Sequence, residues 1–486
     1  MTTPLYGKLS DIFGRRPLYL AAILIFLAGS LYAGSVHSMT ELVLARGVQG
    51  MGAGGLLALA LTVIGDIVAL KDRATYQGYF MSVFGISSVL GPVVGGAFAG
   101  SANILGFDGW RWVFFINLPI GLAALAVVFL YLHLPAKHVK QKIDYWGAAA
   151  ITLAIVPLLL VAEQGRSWGW TSVNSLLRIG LGIGLGIVSF LLAEKRAGDY
   201  ALIPLRLFRN VTFGLSSLLN FIIGIGMFGA IAMLPMYLQL VKGLTPTEAG
   251  LMMITFTVGI LGGSIAAGRT ISASGTYRVF PILGTSILTA AAVVMGLSLG
   301  VDTPLWVPGG IAVSFGLGLG FCMQPLTLAM QVSVPAKDMG VGTSSAAFFR
   351  SMGGAAGTAV FISMLFSLAA DKVAAGMRDA MQNADFLKVL KDPAAAADPA
   401  NAQLYAFFNN GASNDSLNDT SWLHAANPTL AWPITEAFAQ SIDAVMLTAA
   451  TLTGIAFLIS FALPDKKLTD PKASPQRADA APAPAR

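Results

Sequence analysis

The sequence predicts an all-α membrane protein built from two helical bundles with two extra spans between them. Three observations carry this. Hydrophobic residues make up 55% of the 486 residues and charged residues only 11%, whereas soluble domains carry about 25% charge. Twelve apolar runs follow one another from residue 17 to residue 463, each near or above the roughly 20 residues that cross a hydrocarbon core as a helix. The bases fall almost wholly into alternate loops, the pattern the positive-inside rule gives a polytopic chain.

Of the 54 charged residues, 20 lie within 371–436 and 464–486. What remains cannot cover a water-facing surface, so most of that surface must face lipid. There every backbone polar group pairs internally, which leaves helices or closed barrels. Long unbroken runs, not ten-residue alternation, select helices. The expected spans are 17–36, 41–70, 75–100, 112–134, 145–163, 174–193, 211–240, 248–267, 279–299, 305–333, 341–369 and 438–463, and residues 1–6 read as the tail of another.

Threading these spans alternately puts Lys8, Arg15, Arg16, Lys71, Arg73, Lys137, Lys140, Lys142, Lys195, Arg196, Arg206, Arg209, Arg269, Arg278, Lys337 and the bases of the tail on one side. The other side receives mainly Arg111, Arg166, Lys242 and the acidic loop 371–436. The basic side is therefore read as cytoplasmic, with both termini there. The net charge of +6 thus reports orientation and not nucleic-acid binding. Loop 371–436 reads as a solvated cap, or else as a segment whose Ala-rich first half forms a helix and whose aromatics pack on the outer face. The tail 464–486, rich in Pro, Ala and charge, reads as disordered. The one cysteine, Cys322, lies in an apolar run as a packing residue, and the four histidines show no metal spacing.

Two loops echo each other. Gly7–Pro17 (GKLSDIFGRRP) and Gly268–Arg278 (GRTISASGTYR) each hold two glycines seven apart with a base after the first. Parallel repeats about an axis along the membrane normal mark a two-bundle carrier. The domains expected are an amino-terminal bundle (1–143), two central spans (144–196), a carboxy-terminal bundle (197–463) and the tail.

The first loop carries the strongest signal. Gly7 and Gly14 permit a tight helix-to-helix turn. Asp11 can sit at the N-terminus of a facing helix, and Arg15 and Arg16 can bridge to Asp66. Such pairs form in one conformation and break in another, which suits a gate; the alternative is charge that only sets topology. Gly91, Pro92, Gly95 and Gly96 place a helix break and a flat face in one span, which reads as close packing. Gln49, Asn220, Gln239, Gln324 and Gln331 are uncharged amides among Met and Phe, suited to bulky amphipathic ligands. Asp443 either titrates or is interfacial. Arg178 reads as interfacial. Two dinucleotide-like glycine patterns, at Gly50 and Gly224, lie inside apolar spans with no preceding strand and read as packing surfaces.

GKLSDIFGRRP resembles the signature loop between the second and third spans of the major facilitator superfamily. LARGVQGMGAGG (Leu44 to Gly55) is similar to its fourth-span motif, and GISSVLGPVVGG (Gly85 to Gly96) to its fifth-span antiporter motif. The two extra central spans and FFRSMGGAAG (Phe348 to Gly357) resemble the fourteen-spanner drug:proton antiporter branch, that of the QacA and EmrB exporters. The resemblance implies a helical two-bundle transporter that exchanges protons for hydrophobic or cationic small molecules. It implies a proton-relay role for Arg46, whose alternative is snorkelling beside Glu41. Arg350, about ten residues into its span, is too deep to snorkel and reads as a cavity or coupling residue, or as one half of an interhelical pair. Measured against that branch, the chain starts near the end of the second span. The first span and most of the second are expected upstream, through a misassigned start or because the chain is a fragment.

No cluster of acids, histidines or nucleophiles reaches catalytic spacing, so no enzyme is expected. No cofactor or metal is expected beyond protons as coupling ion. The partners expected are a small-molecule substrate and the lipid of the cell (plasma) membrane, with loop 371–436 offering a periplasmic or extracellular contact and no nucleic acid involved. Rival readings are proton-coupled uptake, against which the GPVVGG motif argues, and a non-transporting membrane scaffold acting through 371–436.

Overall fold

Apolar sequence over spanning lengths becomes helix where the structure describes it, while most of 174–183 in the span expected over 174–193 lies outside the described residues. A computed structural model describes residues 2–69, 72–99, 101, 103–133, 144–168, 173, 177, 184–335, 338–402, 404–405, 408, 423 and 426–465. The amino-terminal helices are α1 (Thr3–Phe13), α2 (Arg15–Ser35), α3 (Met39–Ile67), α4 (Arg73–Ala99), α5 (Trp112–Phe115) and α6 (Asn117–Tyr131). A two-stranded turn, Asn103–Ile104 paired with Phe107–Asp108, links α4 to α5. The central pair is α7 (Tyr145–Trp168) and α8 (Leu185–Ala197). The carboxy-terminal helices are α9 (Val211–Leu240), α10 (Pro246–Ser274), α11 (Val279–Ser298), α12 (Trp306–Ser333), α13 (Met339–Ala380), α14 (Ala384–Leu390), α15 (Pro393–Ala397) and α16 (Pro428–Ser460). Among the described residues, nine helices are long and apolar enough to cross a membrane.

Two boundaries move. Helix α13 runs on to Ala380 and α16 begins at Pro428, so the segment between those two helices is 381–427 and not 371–436. The charges of Asp371 and Lys372 end the apolar run but not the helix, since outside lipid a charged residue is an acceptable helix former. Part of the segment is packed, not merely solvated: Phe386, Leu404 and Leu423 are buried. The disordered tail expected after Pro464, and Arg178, lie outside the described residues beyond Asp465 and between 177 and 184.

Both repeated loops turn on their second glycine. Gly14 closes α1 at φ 91° and Gly275 closes α10 at φ 70°, a region L side chains resist and glycine enters freely. The two loops share one end of the molecule. Arg15 reaches Asp66 near the end of α3, and Thr75 Oγ1 at the start of α4 lies 3.0 Å from Ser272 Oγ near the end of α10. This is the end that the bases mark, and it is called the basic end below.

Close helix packing is made by small residues, as lipid-embedded helices require in the absence of a hydrophobic drive between them. A Cβ at Gly353 would collide with the Phe221 carbonyl oxygen, and one at Gly224 with that of Arg350, so α9 and α13 meet backbone to backbone. Gly259, Gly316 and Gly320 do the same for α10 and α12. The pattern at Gly224 is therefore a packing surface. So is the nearby stretch of α3, where Gly52 abuts Phe26, although Gly50 itself has open space. Replacing Gly353 with leucine is expected to force α9 from α13 and cost about 1–3 kcal/mol. Gly91→Ala, with no described atom within 4 Å of its Cβ position, is expected to be silent. Thermal unfolding of the two purified variants in detergent checks both.

The largest buried cluster fills the carboxy-terminal bundle, and a second joins α7 to it, with Ile151 and Ile155 against Phe213, Val341 and Phe348. The central pair thus rides on the carboxy-terminal half. Helix α6 buries nothing, and Ile120, Val127, Phe129 and Leu130 on it are more than half exposed, a surface suited only to lipid.

Candidate functional site

At the basic end the two halves meet through α1 and α13. A Cβ at Gly7 would collide with Ser344 Oγ and stand 2.7 Å from the Gly340 carbonyl, while one at Gly340 would stand 2.6 Å from Asp11 Oδ1. Asp11 therefore lies against the first turn of α13, where unpaired backbone N–H groups favour an anion. Its Oδ1 pairs with Arg15 Nη1 at 2.5 Å, and Arg15 Nε pairs with Asp66 Oδ2 at 2.7 Å. Arg15 Nη1 also donates to Ser10 Oγ at 2.6 Å. One guanidinium thus ties α1 to α3 while its partner carboxylate faces α13. Asp11 lies in the last turn of α1, beyond the span whose tail is expected over 1–6. Burial lifts its carboxyl to about 6 against the opposing pull of Arg15.

Arg16 does not join this latch. Its Nη2 donates to the Phe129 carbonyl at 2.6 Å and its guanidinium stacks 5.3 Å from the Phe129 ring, so of the two expected bridges to Asp66 only that of Arg15 forms. Position on the helix decides it, since neighbours in sequence point about 100° apart on an α-helix. A further pair at the same end, Arg206 to Asp338 at 2.9 Å, holds the segment after the central pair to the N-terminus of α13. The sequence reading had counted Arg206 only as an orienting charge.

Deeper in, α12 turns a polar face toward the amino-terminal half. Gln324 and Gln331 are seven residues apart, two helical turns, and so share that face. Gly78 of α4 lies opposite Gln324, with its Cβ position 3.2 Å from Nε2. Gln331 Nε2 donates to Thr343 Oγ1 at 3.2 Å, and the Gly65 Cβ position lies 3.6 Å from the same nitrogen. Gln324 is buried with neither amide atom paired. Asn220 donates to the Ser216 carbonyl at 2.9 Å and leaves Oδ1 unpaired. Arg350 is 3% exposed, its Nη1 has no partner, and no ion pair reaches it among the described residues. The interhelical-pair reading of Arg350 therefore finds no acidic partner here. Ser264, whose carbonyl lies 3.5 Å from the same Gly78 position as Gln324, and Ser345 are also buried with unpaired hydroxyls. No sequence signal singled them out, because serine is common inside lipid-embedded helices.

Arg46 heads a separate chain of bonds. Its Nη1 donates to Gln49 Oε1 at 2.7 Å, and Gln49 Nε2 donates to Ser30 Oγ at 2.7 Å, which Asn117 Nδ2 approaches at 3.4 Å. The guanidinium lies 5.8 Å from the Phe114 ring. Glu41 accepts the His37 backbone N–H and Arg46 is exposed, so no ion pair joins the two among the described residues. A cation, an amide, a hydroxyl and a second amide thus run from an exposed position into the amino-terminal bundle, separate from the polar seam.

Around the antiporter-like segment the described residues leave the glycine positions open. Residues 73–99 are one helix without a break, and no described atom comes within 4 Å of the Cβ positions of Gly91, Gly95 and Gly96. The side chain of Pro92 lies outside what the structure describes.

Comparison with known proteins gives a consistent answer. Residues 1–358 match the family model of the Major Facilitator Superfamily. The chain is 37% identical over 358 residues to the multidrug transporter protein MdtP of Bacillus subtilis (strain 168), covering 73% of this chain and 64% of that one. It is 36% identical to a tetracycline resistance determinant of Streptomyces rimosus, covering 66% of this chain and 91% of that protein. Among the first relatives matched, the chain spans under two thirds of their length, 64% and 62%. Solved structures share the fold: the human organic anion transporter MFSD10 (TETRAN), at TM-score 0.56 and 15% identity over 94% of this chain and 80% of that one, and the proton:xylose symporter XylE, at 0.55 and 16% over 96% and 84%.

Proposed function

The chain belongs to the Major Facilitator Superfamily, and from this we propose that it exports hydrophobic or cationic small molecules in exchange for protons, as a multi-pass protein of the cell membrane with its basic end in the cytoplasm. One observation carries the reading. Arg15 bridges Asp11 and Asp66 within the amino-terminal half and holds Asp11 against the N-terminus of α13, so the two halves meet at the basic end through a carboxylate that can leave that helix end without breaking any helix. The names of the relatives, multidrug transporter and tetracycline resistance determinant, support export over uptake. The unpaired amides of Gln324 and Asn220 support a substrate held by few polar contacts within an apolar seam. Inward proton flow supplies about 2.3 kcal/mol per charge per 100 mV. The latch opens and closes the cytoplasmic side in turn, Arg46 relays protons through Gln49 and Ser30, and Arg350 sets the field in the seam.

Proteoliposomes holding the whole chain and an acid lumen test this. Added ethidium is expected to drive alkalinisation of the lumen, read by a trapped pH dye, as protons leave while the cation enters. Acidification would make the protein a symporter. No proton movement would remove proton coupling and favour the scaffold reading.

A further inference from the structure

Three buried charged groups stand beside the latch and are not used by it. Glu194 near the end of α8 is 1% exposed, Asp144 just before α7 is 8% exposed, and Lys8 on α1 is 3% exposed. Each acid spends one oxygen on backbone: Asp144 Oδ1 accepts the Gly147 N–H at 2.7 Å, and Glu194 Oε2 accepts the Ile203 N–H at 3.0 Å. The other oxygen of each, Asp144 Oδ2 and Glu194 Oε1, is buried and without a hydrogen-bond partner. These two free oxygens converge. A Cβ at Gly147 would stand against the first and 3.0 Å from the second, so glycine there leaves the space between them open. Two buried carboxylates this close cannot both ionise at low cost, and a shared proton is the ordinary resolution.

We propose that Asp144 and Glu194 form a one-proton site whose affinity is trimmed by Lys8, so that proton occupancy is coupled to the cytoplasmic latch. The mechanical ground is that the acids and the base belong to different bodies. Helix α7 packs on the carboxy-terminal bundle through Ile151 and Ile155, and Leu5 of α1, one turn before Lys8, packs against that same cluster from the amino-terminal half; the Lys8 charge acts on both Asp11 and Glu194. Opening the latch draws Lys8 from the acids, and the pair then holds its proton more firmly. By reciprocity a fall in cytoplasmic pH favours the open latch. Among the described residues the other charges nearby do not compete: Lys195 and Arg196 are exposed, and Arg206 is taken by Asp338. Glu194 lies just past the span expected over 174–193, and burial raises its carboxyl to about 8, with Asp144 adding to the rise and the Ile203 N–H and Lys8 opposing it. From its ordinary 4.5 up to about 8, the folded chain therefore holds a proton the unfolded chain lacks, and that contribution to stability fades as pH rises through this window.

The inference rests on the latch being a gate, but its test does not depend on transport. Infrared difference spectra of the purified whole chain, labelled with carbon-13 glutamate, are expected to show a buried carboxylic-acid band that shifts with the label and titrates as a single proton. Glu194→Gln keeps the oxygen that accepts the Ile203 N–H and should remove the band. Lys8→Met should raise its midpoint by about one unit and Asp144→Asn lower it by about as much. A purely structural role moves neither midpoint. No such band in the unaltered chain, or shifts of the same sign or of zero in the last two variants, would overturn the proposal. Those two variants and the label suffice should Glu194→Gln fail to fold. A failed ethidium experiment leaves this reading standing, and the converse holds too.

Discussion

Replacing Arg15 with alanine is expected to speed alkylation of a cysteine placed at Ser344 by about tenfold and to abolish ethidium-driven proton movement. Ser344 lies inside the shut contact, where a Cβ on Gly7 would already collide with its hydroxyl, so a reagent reaches it only when α1 leaves α13. The native Cys322 is fully buried and gives a silent background. Arg15 makes two charge-assisted contacts, with Asp11 and Asp66, each worth about 1.5–3 kcal/mol when removed from a part-buried site. Asp66 is 31% exposed, so solvent screening trims its share. Both pairs lie within the amino-terminal half, so what the latch itself loses is the positioned Asp11 anion at the N-terminus of α13, about 1.4 kcal/mol, or roughly a tenfold shift toward the open latch. The deletion also strands Asp11 as a buried anion, which pushes the same way. Arg15→Lys should lie between, because an ammonium lacks the fork that spans two carboxylates. In the unaltered chain, labelling should rise as pH falls through about 6, where Asp11 takes up its proton and lets go of Arg15. An unchanged labelling rate in Arg15→Ala would show that this end is held by packing alone.

The parts of this latch were legible because they lie within one short motif and one neighbouring helix end. Glycine predicted the turn at Gly14, though not that Gly7 would sit inside α1, and charge type predicted that Arg15 would meet Asp66 and that Asp11 would lie at a facing helix N-terminus, though not that Asp11 and Arg15 would pair. Apolar length gave the spans. What sequence could not show was which of two adjacent arginines faces Asp66, since a shift of one residue rotates the side chain to a different neighbour. Nor could it show Lys8, Asp144 and Glu194 together: they are far apart in sequence, and each reads alone as an ordinary charge beside a span end. Hydropathy also misplaced the ends of α13 and α16, because it reports where lipid ends and not where helix ends. Gly91, Gly95 and Gly96 show the converse limit, a motif read as packing whose faces meet no described atom.

The second large effect concerns Arg350, whose replacement by methionine is expected to raise thermal stability and lower ethidium-driven proton movement at least tenfold. An arginine at mid-span costs about 2.5–3.5 kcal/mol on insertion scales, a cost usually offset by an acid or by water. Here the side chain is 3% exposed, Nη1 is unpaired, and its helix is pressed against α9 by Gly224, Gly353 and Gly357. Methionine fills a similar volume without a charge, and such replacements of buried ionic groups are neutral or stabilising by about 1–4 kcal/mol. An arginine that served only to hold two helices together would give the opposite sign, a loss of stability with Met and partial recovery with Lys. If the cation is instead kept for the polar seam it shares with Asn220 and Gln324, Arg350→Lys should retain part of the proton movement while melting no higher than the parent. Paired melting curves and proteoliposome rates for the two variants separate these cases. A fall in stability for Arg350→Met would assign this residue to the scaffold and leave the seam without its cation.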